Sequence, residues 1–274
     1  MAITLTLLLS ACGGSGGDED APAQRGGTLQ VADAGEPLSL NPLVAQDNSS
    51  QRIFAQVLEP LFRTDAKGEV VPWLAVKSTH SSDFRTWTFE LRPDVTFSDG
   101  KAMTPEDVVY SLNAIRATET WKDLFSEISA VKKGSETSVV VTTRVPSPSL
   151  ESSLALPFAA ILPVDLGGAT PEAFGENPIG TGPFKVASWE HGKSLTLERN
   201  AGYWDPEKPL LDKVVFNVSP SDSSRVLQLR AGDLDLIAEP PLPQLSASEQ
   251  ASTTKVGAFD MAFTACVLVP SSNV

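Results

Sequence analysis

Residues 87 to 112 read WTFELRPDVTFSDGKAMTPEDVVYSL, and three local signals follow one another along them. From Thr86 to Leu91 the chain alternates, with Trp87, Phe89 and Leu91 on one side and Thr88 and Glu90 on the other. Successive strand side chains point to opposite faces, so this pattern predicts a strand with one buried face. Ser98-Asp99-Gly100 supplies a turn. Thr104-Pro105-Glu106-Asp107 then predicts the start of a helix. Thr104 is placed to accept from the backbone at Asp107. Pro105 fits the first helical position, where its missing N–H costs nothing, and both acids favour the positive helix end. Val108, Val109, Leu112 and Ile115 continue as the buried stripe.

On either side the same two periodicities recur. Thr28 to Asp33 predicts a first strand, and EPLSLNPLVAQDNSS (36 to 50) a loop. Ser50 is a candidate cap for a helix whose Ile53, Phe54, Val57, Leu58 and Leu61 share one face. Asp65 to Gly68 is a turn. Ile128–Lys132 and Ser138–Arg144 predict a hairpin, Ser149–Leu156 a short helix, and Phe184–Trp189 with Ser194–Arg199 a second hairpin turning at Glu190-His191-Gly192. Lys213–Val218, Ser221–Ala231 and Leu234–Ala238 read as strand, helix, strand, with Gly232 ending the helix. Two strands joined by a helix argue for parallel pairing and hence an α/β sheet.

The 274 residues are 41% hydrophobic, enough for a real core, and carry 34 acidic against 21 basic side chains, a net charge of -13. That balance repels phosphate backbones, and no basic cluster offsets it, so no nucleic-acid partner is expected. The apolar run Ala2–Leu9 is too short to span a bilayer and reads as the core of a signal peptide covering residues 1 to 11. Leu9-Ser10-Ala11-Cys12 resembles a bacterial lipobox, although no Lys or Arg precedes the apolar run. That resemblance implies lipidation at Cys12, with 12–27 as a flexible Gly-rich tether. Cys266 is then unpaired, and no disulfide framework is predicted.

Catalytic patterns are weak. Gly13 to Gly17 matches G-x-S-x-G but lacks the strand before it and the helix after it. Gly180-Thr181-Gly182-Pro183 reads as a tight turn into a strand, because Pro183 removes an amide donor and no helical pattern follows. His80 and His191 stand beside turn residues and are expected to be solvated. The carboxylates read mostly as solvated faces. No HExxH, CxxC or Walker lysine is present, so no catalytic residue, metal site or cofactor is predicted. Trp87, Trp189 and Trp204 are expected to pack in the interior.

The stretch 87 to 112 resembles the signature of the extracytoplasmic solute-binding proteins of the oligopeptide, dipeptide and nickel class (family 5), which serve ABC importers. EPLSLNP (36 to 42), VLEPLF (57 to 62), PIGTGPFKVASWEHGKSLTLERNAGYW (178 to 204) and LQLRAGDLDLI (227 to 237) are similar to further blocks of that family, in the same order. The resemblance implies a periplasmic-binding-protein-like (type II) α/β fold of two hinged lobes that close on a solute. It places this chain in lobe one, with a mixed-sheet core subdomain of 28–46 plus 180–262 and an inserted α+β subdomain of 47–179. It stops near Ala262, so the second lobe is expected to be missing and 263–274 to be an aberrant or truncated tail. A wall lacking its mate is expected to present an apolar face and to bind weakly.

By the same resemblance, Gln46, Asp47, Asn48, Trp121 and Phe125 are the ligand-binding candidates, with Arg225 and Leu227 weaker ones near the hinge. The alternatives are that Asn48 and Ser49 cap the next helix and that the two aromatics pack in the core. The implied function is a lipid-anchored, monomeric receptor on the outer face of a bacterial membrane, passing an oligopeptide or other small solute to an ABC permease. A surface-tethered fragment with no transport role is the second reading. A surface hydrolase is the third, opposed by the missing catalytic patterns.

Overall fold

The computed structural model describes residues 25–245, 253–255 and 264–266. Cys12, the expected leader (1–11) and the expected tether up to residue 24 lie outside them. In chain order the elements are β1 (Thr28–Asp33), α1 (Asn48–Val57), β2 (Phe62–Thr64), β3 (Val70–Pro72), β4 (Ala75–His80), β5 (Thr86–Leu91), α2 (Pro105–Ala117), β6 (Ile128–Ser135), β7 (Ser138–Thr143), α3 (Leu150–Ser153), α4 (Pro171–Glu176), β8 (Phe184–Glu190), β9 (Ser194–Arg199), β10 (Lys213–Val218), α5 (Asp222–Ala231), β11 (Leu236–Ala238), β12 (Thr253–Lys255) and β13 (Thr264–Cys266).

The larger sheet has the order β12-β13-β11-β1-β10-β9-β8. β1 pairs in parallel with both β10 and β11, matching Val31 with Phe216 on one side and with Leu236 on the other. The strand–helix–strand unit β10-α5-β11 is therefore parallel, as its pattern predicts, but β1 lies between its two strands. β11 begins at Leu236, two residues later than the pattern suggests. β13, inside the stretch expected to be a tail, pairs antiparallel with β11 and β12.

Both faces of β1 are covered. Val31 joins the main core, and Ala32 joins a smaller cluster with Val226, Leu229 and Ile237 beneath α5. A strand buried on both faces cannot show strict alternation, which explains why its carboxyl half, Val31 to Asp33, is buried without a break. Ser221 caps α5 and Gly232 ends it at φ +82°, a conformation that glycine adopts without strain.

The four-stranded antiparallel sheet β4-β5-β7-β6 grows from the 87–112 stretch. Trp87, Phe89 and Leu91 are buried, and α2 packs on β6 and β7. Asp107 accepts from Thr104 N–H and Thr104 Oγ, each at 2.8 Å, and holds Val164 N–H at 2.9 Å with its other oxygen. The bond expected to run from the Asp107 amide to the Thr104 side chain meets the Thr104 carbonyl at 3.1 Å.

α1 follows β1 of the larger sheet and leads into β2, which pairs antiparallel with β3 as a small two-stranded sheet. Ile53, Phe54 and Val57 are buried in the main core, each worth roughly 1.5–3 kcal/mol of burial. Its N-cap is Asp47, which accepts from Ser50 N–H at 2.8 Å, and not Ser50 as the sequence suggests. The helix stops at Val57 because Pro60 disfavours helical backbone just before it. The Gly180–Gly182 turn lies against that end. A Cβ on Gly180 would stand 2.0 Å from the Val57 carbonyl oxygen, and Gly182 N–H donates to the same oxygen at 2.9 Å.

Glu59, just past this end, has no exposed surface. It accepts from Trp73 Nε1 (2.8 Å), Thr181 Oγ (2.8 Å), Tyr203 OH (2.8 Å) and Trp204 Nε1 (3.1 Å). Burial pushes its carboxyl up to about 6, with the four donors opposing the rise. Arg63 lies over the Trp73 ring at 3.6 Å and Arg92 over the Trp204 ring at 4.0 Å. Glu59 is thus a buried knot between the α1 exit and the 181–204 stretch, where the sequence suggests one more solvated carboxylate.

Candidate functional site

In open α/β sheets ligands gather beyond the carboxyl ends of parallel strands, where the strand order reverses. Here β1 ends at Asp33, with β10 and β11 leaving on its two sides, and the amino end of α1 lies over that edge. Asp33 is buried and accepts from Arg52 Nη1 and, at 3.0 Å, from Ser49 Oγ. The other Arg52 amine reaches Glu239 at 2.8 Å, and Asn48 Nδ2 donates to the same Glu239 oxygen at 3.1 Å. Glu239 follows β11 with φ +53°, a left-handed backbone uncommon for a non-glycine residue. Only good hydrogen bonding offsets the cost of burying such charges, and Arg52–Asp33 fixes α1 to the sheet edge.

The loop from Glu36 to Asp47 is shaped by short-range bonds. Ser50 Oγ accepts from Leu38 N–H at 2.9 Å and from Ser39 N–H at 3.3 Å while donating to Asp47 at 2.6 Å. Asn41 Oδ1 accepts from Leu43 N–H at 3.1 Å, and the Asn41 carbonyl from Ala45 N–H at 3.0 Å. These bonds leave Gln46 and Asn48 exposed and Asp47 half-buried at the edge.

Trp121 joins this group. Its Nε1–H donates to the Pro42 carbonyl at 2.8 Å, and its ring stacks on Phe158 at 4.0 Å. Phe125, four residues on, is only 1% exposed and edge-on to Phe158, packed in the core behind Trp121. Residues 120 to 127 form turns rather than a helix. Four of the five candidates therefore meet around one loop, and the fifth backs them. Leu38, Val44 and Leu124 are exposed on the segments that Pro42 and Trp121 join.

Arg225 is buried and turns back to the Ser219 carbonyl and Asp222, bracing the start of α5, while Leu227 is exposed on the same helix. Trp87 is interior, Trp189 donates to Glu36 at 2.9 Å, and His80 stacks on Phe84 at 4.1 Å. Sequence reasoning missed Asp33, Arg52, Glu59 and Glu239, whose partners lie far along the chain. The visible hint was a charge inside an apolar run, as in VLEPLF. Among the described residues no group of three His, Cys, Asp or Glu side chains is arranged to hold a metal ion.

A mixed sheet with two parallel strands diverging over a capped helix, beside a second antiparallel sheet, is one lobe of a type II periplasmic-binding-protein-like fold. The PBP AgaA of A. tumefaciens R10, solved with agropinic acid, superposes with a TM-score of 0.75 at 31% identity, over 82% of this chain and 46% of that one. The family model "Bacterial extracellular solute-binding proteins, family 5 Middle" matches residues 69–271, and the chain belongs to that family. The match runs past position 262, where the sequence resemblance ends. The nickel-binding periplasmic protein of Escherichia coli K12 is 35% identical over 73% of this chain and 40% of its own length. The oligopeptide-binding protein OppA of Bacillus subtilis 168 is 29% identical over 94% and 52%. The chain spans about half the length of the relatives it matches.

Proposed function

We propose that these residues form one wall of an extracytoplasmic solute receptor that delivers a short peptide, or a small polar solute of similar size, to an ABC permease, with Cys12 carrying a lipid anchor. The observation that supports the reading is that Asp47 and Asn48 open α1 beside the carboxyl edge of β1, with Gln46 exposed next to them and Trp121 bonded to Pro42 of the same loop, in a family 5 lobe. The exposed amides of Gln46 and Asn48 near an indole suit a solute with a peptide-like backbone: the amides donate or accept and the ring covers apolar surface, while Asp47, engaged by Ser50, holds the loop in place. The named relatives bind nickel and oligopeptides, and both solute classes are tested.

One wall buries only part of a solute, so titration calorimetry on the 274-residue chain with a pool of di- to pentapeptides is expected to give binding weaker than micromolar. Gln46→Ala and Asn48→Ala are each expected to weaken it by roughly three- to tenfold, about the value of one hydrogen bond, with the melting temperature unchanged in Gln46→Ala and slightly lowered in Asn48→Ala, which also loses its bond to Glu239. Binding unchanged in both variants, or seen only with nickel(II)–histidine, overturns the peptide assignment. Labelling with a fatty-acid analogue in a bacterial host is expected to mark the wild type and to fail in Cys12→Ala.

A further inference from the structure

His191, in the turn between β8 and β9, faces a carboxylate with each ring nitrogen. Nδ1 lies 2.9 Å from Glu36 Oε1 and Nε2 lies 3.1 Å from Glu176 Oε2. An ionised carboxylate only accepts, and a neutral imidazole has one N–H to give. Both contacts are satisfied together only by the imidazolium; remove either proton and a lone pair meets an anion. Trp189 Nε1 donates to the same Glu36 oxygen at 2.9 Å, so the Glu36 side is held twice and the Glu176 side once.

The bridge encloses a piece of the candidate site. Glu36 begins the loop leading to Gln46–Asn48. Glu176 ends α4, which backs the same loop: Leu40 N–H donates to the Gly175 carbonyl at 2.8 Å, and a Cβ on Gly175 would stand 2.4 Å from Ser39 Oγ. Glu36, His191, Glu176, Gly175 and Leu40 thus close a ring around residues 36–41, with Leu38 82% exposed on it.

We propose that His191 is a proton-operated bridge that, when doubly protonated, ties the Glu36 segment to α4 and, on losing one proton, opens this ring on the Glu176 side. The other charged neighbours in the turn, Glu190 and Lys193, pair with each other at 2.7 Å. The bonds to Glu36 and then Glu176 hold the imidazole above its ordinary 6.5. For Glu36, burial works upward, but bonds from Gly192, His191 and Trp189 outweigh it and keep the carboxyl below its usual range. A raised histidine contributes fully below 6.5 and loses its contribution as pH rises through the folded-state midpoint, so the ring is closed in mildly acidic medium and open in alkaline medium.

The chain has two histidines, so ring-proton NMR resolves them, with His80→Ala identifying the His191 signals. His191 is expected to titrate above 6.5, and its midpoint to fall by roughly half a unit in Glu176→Gln. The amides of Leu38, Ser39, Leu40 and Gly175 are expected to shift with the same midpoint in the wild type and to stop doing so in Glu176→Gln. A His191 midpoint at or below 6.5, or loop amides indifferent to its titration, overturns the proposal. Glu176 is exposed, and an unchanged melting curve confirms that its variant folds.

Discussion

Glu59 lies sealed among two indoles, a phenol and a threonine, all of which donate to it. Its carboxyl titrates at about 6 when folded, against an ordinary 4.5. A folded-state value above the unfolded one means that the native protein holds the proton more tightly. Its share of stability is therefore greatest below pH 4.5 and falls by about 2 kcal/mol as pH rises to about 6, then stays level. Urea unfolding from pH 4.5 to 8 is expected to show this fall, and the difference between wild type and Glu59→Gln isolates it from the surface carboxylates. Identical slopes in the two proteins reject the assignment. The chain conceals this residue because its donors stand at positions 73, 181, 203 and 204, so no spacing rule connects them. The pairing of Thr104 with Asp107 was legible because three residues of helix bring them together, although the bond runs from Thr104 to the Asp107 carboxylate and not from the Asp107 amide to the Thr104 side chain. Trp121 and Phe125 lay between these cases: their spacing fitted one helical face, and only the fold shows one ring at the Pro42 carbonyl and the other in the core.

Among the elements, the docking of the 180–182 turn on the end of α1 is the most demanding. Backbone meets backbone there, and neither can withdraw without losing the Gly182–Val57 hydrogen bond. Gly180→Ala is expected to cost at least 3 kcal/mol, since the added methyl meets a carbonyl rather than a flexible side chain. Gly68→Ala sits in an open turn with no atom near its Cβ and carries only the cost of its φ of +83°, about 1 kcal/mol. Thermal melts of the two variants check the order; equal losses reject the close-approach argument. The sequence does show a turn entering a strand at this point, and β8 begins at Phe184. Why that turn contains two glycines depends on a helix end more than a hundred residues earlier.

At the scale of the whole molecule, Arg52–Asp33 fastens α1, and with it the candidate site, to the central strand. Arg52→Ala leaves Asp33 buried with Ser49 and the nearby amide of Gly35 as its donors and is expected to cost about 3–5 kcal/mol. Arg52→Met combined with Asp33→Asn removes both charges and is expected to recover at least half of that loss. A double variant as weak as the single one, measured by denaturant midpoint, contradicts a charge-based fastening. The parallel sense of β10 and β11 was readable from the helix between them, and so was the α/β class. Their separation by β1 was not, because no local pattern records which strand fills a gap.

That placement constrains how the molecule is made. β1 is synthesised before every other described strand, yet its neighbours are β10, where Thr28 meets Lys213, and β11, where Ala32 meets Ile237. Until the polymer has been extended almost to residue 240, both edges of β1 stand bare, a template for any other nascent strand. Holding factors that shield the amino-terminal segment during synthesis should therefore raise the yield of soluble product more than any that act once the chain is complete.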